Sequence, residues 1–203
     1  MALINPKKKE VQVKIVYYGP GRGGKTTNLE YINEKFRTRI KSEMVTIKTY
    51  GDRTLFFDFL PLDIGTISGY NIKIQFYTVP GQVKYNATRK LVLRGVDGIV
   101  FVADSMALRR EMNIRALQNL DENLRSFNKD LSRIPLVFQY NKRDLASQNI
   151  ALLPLEVLQQ DLNANLNAPY IEASALTGNN VALTMKKIIS LTIGSLKKKL
   201  EEN

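Results

Sequence analysis

The chain has 203 residues, a formal net charge of +11, 44% hydrophobic residues, and neither cysteine nor histidine. That length and apolar fraction suit one globular domain with a full core. The two missing residue types exclude disulfides, thiolate nucleophiles, imidazole bases and the usual zinc ligands, so any catalysis must use carboxylates, amides, hydroxyls, basic groups or a hard cation.

Residues 1–10 contain no apolar segment of the kind that directs secretion, and no later stretch reaches the length of a bilayer span, so a soluble, cytoplasmic protein is expected. Ala2 stands where myristoylation requires glycine, and the final LEEN offers no cysteine for prenylation. Lysine runs occupy 7–9 and 197–199. Such runs are most often solvated tails, with nucleic acid or an acidic membrane as the alternatives. The basic residues are not interleaved with aromatics that would stack on bases, so no nucleic-acid partner is expected, whereas peripheral membrane contact stays open.

VQVKIVYY (11–18) alternates and then turns wholly apolar, the pattern of a strand entering the middle of a sheet. GPGRGGKTT (19–27) follows, and beyond it Leu29, Ile32 and Phe36 recur at helical spacing. TLFFDFLPLDIG (54–65) and NIKIQFYTV (71–79) predict two strands joined by a turn around Ser68 and Gly69. Pro61 donates no backbone hydrogen bond, which places the first of the pair at a sheet edge. GIVFVAD (98–104), IPLVFQYNK (134–142) and PYIEAS (169–174) predict three more strands, separated by helical patterns. One pattern carries Leu117, Leu120, Leu124 and Phe127; another places Pro154 at a first helical turn. A last helix, from Asn180 to about Leu200, has Val181, Met185, Ile188, Ile189, Thr192, Leu196 and Leu200 on one side. That stripe suits a helix covering a sheet, with a membrane-surface helix as the alternative. Strands alternating with helices imply an α/β fold, a mostly parallel sheet covered on both faces, in one domain over 1–203.

Gly19-Pro-Gly-Arg-Gly-Gly24-Lys25-Thr26 fits G-x-x-x-x-G-K-[ST] between a predicted strand and a predicted helix. Gly19, Gly21, Gly23 and Gly24 let successive amides turn inward around phosphate oxygens, and the following helix adds its positive end. Lys25 is expected to reach the β and γ phosphates and Thr26 to offer its hydroxyl to Mg²⁺; Thr27 belongs to the same nucleotide-binding loop. NKRD follows the end of a predicted strand, where open sheets bind ligands, and supplies Asn141, Lys142 and Asp144. The Asp144 carboxylate accepts from guanine N1–H and the exocyclic amine, whereas adenine would leave it unpaired. EASAL (172–176) offers Ser174 and the Ala175 amide to the guanine carbonyl, or is a plain loop.

In this order GPGRGGKTT, TVPGQ (78–82), NKRD and ASAL resemble a Ras-like small GTPase, and more narrowly the bacterial MglA-type polarity and gliding-motility GTPases. The similarity runs over nearly the whole chain, tails excepted. It implies a Ras-like P-loop G domain with a mostly parallel six-stranded sheet, one antiparallel edge strand and helices on both faces. It also implies GTP/GDP as ligand, Mg²⁺ as cofactor, and a switch that hydrolyses GTP slowly without an activating partner. In such a protein Gln82 orients the attacking water, Arg53 is an arginine finger supplied in cis, and Thr54 joins Thr26 at the metal. Thr78 and Gly81 line the nucleotide. Thr78 stands where small GTPases have the Asp of DxxG, a departure typical of the MglA type; that Asp holds an Mg²⁺-bound water, and Asp58 is one candidate to replace it.

The resemblance further implies a small dimeric MglB-like activator of the roadblock fold, polarity or motility effectors, and recruitment to a cell pole. Segments 46–60 and 78–87 would move with nucleotide state. Leu55, Phe56, Phe57 and Phe59 either pack on the core or offer an edge that pairs with a partner's sheet or changes register. Two alternatives remain at this level. Thr78 and the bulky Arg22 motivate a GTP-bound scaffold with negligible hydrolysis, and the positive charge motivates a nucleic-acid-associated GTPase.

Overall fold

The apolar runs pair into one mostly parallel sheet in a computed structural model that describes residues 2–39, 44–49, 53–67, 69–81 and 85–201, with the side chains of 39, 45–49, 53–57 and 199–201 outside the description. In chain order the elements are β1 (Leu3–Asn5), β2 (Glu10–Tyr18), α1 (Lys25–Lys35), β3 (Val45–Thr49), β4 (Arg53–Ile67), β5 (Tyr70–Thr78) and α2 (Asn86–Leu93). They continue with β6 (Gly98–Asp104), α3 (Arg110–Arg125), β7 (Leu136–Asn141), α4 (Leu155–Leu162), β8 (Tyr170–Glu172) and α5 (Val181–Glu201).

The strand order is β3-β4-β5-β2-β6-β7-β8, with β1 paired to β2. β5, β2, β6, β7 and β8 run parallel, and β4 runs antiparallel beside β5. This is the mostly parallel sheet with an antiparallel flank that the sequence predicts, lengthened by two short antiparallel strands. β3 pairs with residues 53–59 of β4, so that half is covered rather than at the edge; Pro61 lies beyond the last β3 partner and pairs with Gln75 on its other side.

Alternation along β2 divides the core. Val11, Val13, Ile15 and Tyr17 face Leu29 and Ile32 of α1 and Val181, Met185 and Ile188 of α5. Val16 and Tyr18 face the other way, toward Val92 and Leu93 of α2, Leu120 and Leu124 of α3, and Leu158 and Leu162 of α4. β6 is buried along its whole length, as a central parallel strand covered on both faces must be. The stripe on α5 from Val181 to Leu196 therefore lies against the sheet, and the Leu200 side chain lies outside the described residues. No described helix is long and apolar enough to cross a membrane.

α5 lies tight against the sheet at Gly98, where an ideal Cβ would lie 2.2 Å from Thr192 Oγ1 and 3.3 Å from Ile188 Cδ1. Thr192 Oγ1 is itself held, donating to the Ile188 carbonyl at 2.7 Å, so it has little room to retreat. The consequence reaches the ligand edge, because β2, β5, β6, β7 and β8 all end at the opposite end of the sheet, where a doubly covered parallel sheet presents its crevice. Gly98→Val is expected to destabilise the fold by roughly 1–3 kcal/mol, the usual penalty for overpacking. A urea titration should show a lower midpoint with an unchanged slope; an unchanged midpoint would refute the tight seating of α5.

Candidate nucleotide site

The chain leaves β2 at Tyr18 and resumes regular structure at Lys25. Gly24, between them, has φ 96°, and a Cβ there would lie 2.2 Å from Asn141 Nδ2. Glycine is required twice over, by the left-handed backbone and by the asparagine pressed against it. Gly19 crosses β6 at the Val102 carbonyl, and the Gly23 amide donates to the Pro20 carbonyl at 3.3 Å. Gly24 caps α1 with no side-chain acceptor, so the first amides of the helix keep their donors, and with them the positive end of the helix dipole, for an anion.

Lys25 is 6% exposed and curls back over this loop, where Nζ donates to the carbonyls of Gly19 at 3.1 Å and Pro20 at 2.7 Å. Burial, and after it the positive charge of Arg89, lowers its pKa to about 7, against a smaller opposing pull from Asp58. A phosphate held by the loop amides would oppose both causes and favour the ammonium.

One carboxylate organises the neighbouring side. Asp58 of β4 accepts from Thr26 Oγ1 at 2.6 Å and from Thr78 Oγ1 at 2.7 Å through the same oxygen, Oδ2, and its amide donates to Thr78 Oγ1 at 2.9 Å. Asp58 and Thr78 are fully buried. The other oxygen, Oδ1, is buried with no hydrogen-bond partner among the described residues. An unpartnered buried carboxylate oxygen is costly, and beside a hydroxyl it makes a hard-oxygen environment that fits Mg²⁺ or its bound water. Among the described residues no group of three or more acidic, histidine or cysteine side chains gathers to hold a metal. A cation here would therefore draw its remaining ligands from phosphate and water, as Mg²⁺ commonly does.

On the base side, Asn141 ends β7 and joins two loops: Nδ2 donates to the Gly23 carbonyl at 2.8 Å, and Oδ1 accepts from the Ala175 amide at 2.8 Å. The amide expected to meet a guanine carbonyl is thus committed to Asn141 in this arrangement. Lys142 takes a left-handed backbone, φ 69°, and its Nζ lies 2.7 Å from Oδ2 of the fully buried Asp104. Asp144 follows in a 3-10 turn, half-buried, and its carboxylate has no hydrogen-bond or ion-pair partner among the described residues. Ser174 is buried and fixes its own loop, Oγ accepting from the Thr177 amide at 3.1 Å.

The segment after β5 folds directly onto the phosphate loop: an ideal Cβ on Gly81 would lie 2.2 Å from Gly21 Cα. Thr27 is half-buried in the first turn of α1. Arg53 and Thr54 open β4, opposite Thr49 and Lys48 of β3, but their side chains lie outside the described residues, as does Gln82 altogether. Of the phenylalanine-rich segment, Phe59 packs against Tyr77 with ring centroids 5.0 Å apart, and the side chains of Leu55, Phe56 and Phe57 lie outside the description.

Three further polar groups shape the site. Arg89, 3% exposed, donates from Nε to the Pro80 carbonyl at 2.9 Å and from Nη1 to Asn119 Oδ1 at 2.6 Å, tying the segment before Gly81 to α3. Arg109 donates to the Gly21 carbonyl at 2.6 Å and lies 3.5 Å from Asp104. Asn28 donates to the Gly24 carbonyl at 2.8 Å and accepts from Gln139 at 2.9 Å. Asp104 was findable as the polar end of GIVFVAD. The two arginines sit on helical segments whose spacing carries no such signal.

A Ras family model matches residues 14–193, a span that includes the phosphate loop, Asp58, Thr78, the NKRD segment and the loop before α5. The chain is 48% identical over 198 residues to the mutual gliding-motility protein MglA of Myxococcus xanthus (strain DK1622), covering 98% of this chain and 99% of that one. It is 24% identical over 196 residues to the Ras-related protein Rab-27B of Rattus norvegicus, covering 94% of this chain and 84% of that one. The chain belongs to the Ras family, and within it to the MglA-type small GTPases.

Proposed function

We propose that the protein is a cytoplasmic GTP/GDP switch that hydrolyses GTP slowly on its own and signals its nucleotide state to partners governing cell polarity or gliding motility. The observation that carries this is the shared carboxylate: Asp58 binds Thr26 and Thr78 together with one oxygen and keeps the other unpartnered. It supplies from β4 the acidic group that Thr78 lacks. The name of the 48% identical relative, a gliding-motility protein, supports the cellular role.

In this scheme the backbone N–H groups of residues 21–24 and Lys25 hold the phosphates, with Thr27 beside them. Thr26 and Thr54 would hold Mg²⁺, with the Asp58 carboxylate beside Thr26, and the ion would offset negative charge on the phosphates. Gln82 orients the attacking water, and Arg53 neutralises charge that develops as the bond to the leaving phosphate lengthens. Thr78 positions Asp58, and Gly81, the residue before Gln82, lies against Gly21. Asp144 reads the guanine edge; Lys142 flanks the base, and Asn141, Ser174 and Ala175 shape its pocket. A small dimeric MglB-like protein of the roadblock fold is the activator, and polarity or motility effectors, with recruitment to a pole, complete the cycle. Without the activator, turnover is expected on the order of 10⁻⁴ to 10⁻² per second.

Single-turnover phosphate release from GTP, with and without a roadblock partner, tests the switch against a non-hydrolysing scaffold; no release under either condition would eliminate hydrolysis. Gln82→Ala and Arg53→Ala should each slow release by roughly 10²-fold or more while GDP affinity stays within a few-fold. Equal rates in the variants would remove both assignments.

Base choice has its own measurement. Asp144→Asn offers xanthine's extra carbonyl a donor, so preference should pass from guanine to xanthine nucleotides in a competition assay. Unchanged GTP affinity would exclude Asp144 as the base reader. Asp58→Asn should raise the Mg²⁺ concentration needed for tight GDP binding by about tenfold, equivalent to one charge-assisted contact. The same Mg²⁺ titration curve as the parent would show that Asp58 does not support the cation.

A further inference from the structure

The two lysine runs take no part in the nucleotide site, yet the fold brings them to one end of the sheet. β1 pairs antiparallel with the start of β2, Leu3 opposite Gln12, Ile4 opposite Val11 and Asn5 opposite Glu10. The turn at 6–9 therefore projects from the end of β2 that lies away from the phosphate loop. It is a built turn rather than a loose tail. The Lys8 amide donates to Asn5 Oδ1 at 3.1 Å, the Lys9 amide to the Pro6 carbonyl at 3.3 Å, and the Lys9 carbonyl accepts from the Asn71 amide of β5 at 2.7 Å. All of residues 3–9 is exposed.

α5 descends to the same level. Ile188 and Thr192 lie against Gly98, which opens β6 and pairs with Ile15 of β2. From Ile15 back to Val11 the strand covers about 13 Å. From Thr192 onward to Lys198 the helix covers about 9 Å. Lys197 and Lys198, both exposed, thus arrive level with Gln12, the partner of Leu3 in β1. The exposed Arg94 adds a third source of charge on the other face, where its carbonyl accepts from Lys14 Nζ at 3.1 Å. Among the acidic side chains described at this end, Glu10 is engaged with Lys73, Asp97 with the Lys14 amide and Asp130 with Ser132, while Glu201 and Glu202, next to the second lysine run, lie outside the described side chains.

Apolar side chains stand among these cations. Leu3 is 70% exposed and Ile4 40%, on opposite faces of β1, and Leu91 is 64% exposed on the last turn of α2. A polyanion bound by stacking would need aromatics, but the exposed large aromatic among the described residues, Tyr170, belongs to β8 at the far side of the sheet. Lysines in a turn flanked by the bare Leu3 and Ile4 match a lipid surface, with anionic headgroups for the ammonium groups and the acyl boundary for the apolar side chains.

We infer that the β1–β2 hairpin, together with the C-terminal end of α5, docks this protein on an anionic membrane. Because the hairpin and the phosphate loop lie at opposite ends of β2, a protein so docked keeps its nucleotide and the segment after β5 facing away from the lipid.

Cosedimentation of the full chain with vesicles of phosphatidylcholine alone, or mixed with phosphatidylglycerol or cardiolipin, tests this at low and at physiological salt. Binding is expected only to the anionic vesicles and should weaken as salt rises. Each lysine at such a surface is worth roughly fivefold in partitioning, so combined Lys7→Gln, Lys8→Gln and Lys9→Gln should weaken binding about a hundredfold. Leu3→Ser with Ile4→Ser should weaken it as well. GDP affinity, measured on the same samples, should not change in either variant, which separates loss of docking from loss of fold or of the nucleotide site. No binding to anionic vesicles at low salt, equal binding to neutral ones, or parent-like partitioning of the lysine variant would overturn the inference. Parent-like partitioning of the Leu3/Ile4 variant, or displacement from the vesicles by polyuridylate, would overturn it in favour of a bare polyanion site.

Discussion

Asn141 holds the nucleotide site together with one side-chain amide. Its nitrogen is bound to the phosphate loop and its oxygen to the loop before α5, both at 2.8 Å, and the residue is 1% exposed. Three segments far apart in sequence are thereby locked in register at the end of β7. The requirement for glycine at position 24 follows from this arrangement, because the space a Cβ would take belongs to Asn141 Nδ2. Buried side-chain bonds that satisfy both ends of an amide rigidify more than their pairwise strengths suggest, because losing either partner leaves a desolvated group behind.

Asp58 imposes a second constraint, and it falls on the flank of the sheet. In the usual Ras-like arrangement the acidic residue near the metal ends the strand that Thr78 ends here. Here Thr78 instead meets a buried carboxylate from the adjacent antiparallel strand, Asp58, one position beyond the pairing of Phe59 with Tyr77. Strand side chains alternate between faces, so a one-residue slip of β4 on β5 would carry Asp58 away from Thr26 and Thr78 altogether. The register of β4 is thus coupled to the chemistry of the phosphate loop. The Thr78 hydroxyl enforces the coupling, since it donates to the Asp58 carboxylate and accepts from the Asp58 amide.

Most of the central sheet was legible because its strands are apolar runs bounded by glycine, proline or polar residues, and the phosphate loop because its glycines and lysine answer a specific physical need. β1 and β3 were not. β1 is three residues long and exposed, so it has no buried face to impose a pattern. β3 lies in VTIKT, whose polar alternation suits a flanking strand but equally suits a loop. Pro61 pointed to an edge correctly only where β3 stops, because a proline constrains its own hydrogen-bond position and says nothing of residues six positions earlier. Asp58 was reached as a substitute for a missing residue. Arg89 and Arg109 were missed, since an arginine that folds back onto backbone carbonyls, buried like Arg89 or half-buried like Arg109, looks in sequence like any other helical arginine.

The molecule is polar along its strands, and α5 spans the two ends. It begins beside Ala175 and Asn180, whose side chain donates to the Glu172 carbonyl at the nucleotide end, and finishes among lysines at the other. Between them Val181, Met185, Ile188 and Thr192 are buried against the sheet, and the contact at Gly98 prevents the helix from sliding without a clash. The phosphate loop and the lysine-rich surface are therefore held at opposite ends of one rigid element, well beyond a Debye length, about 8 Å at physiological salt. At that separation the lysine-rich end contributes little to the potential at the phosphate loop. The charges that matter there are local, namely Lys25, Arg89 and Arg109, with Asp58 and Asp104 set against them.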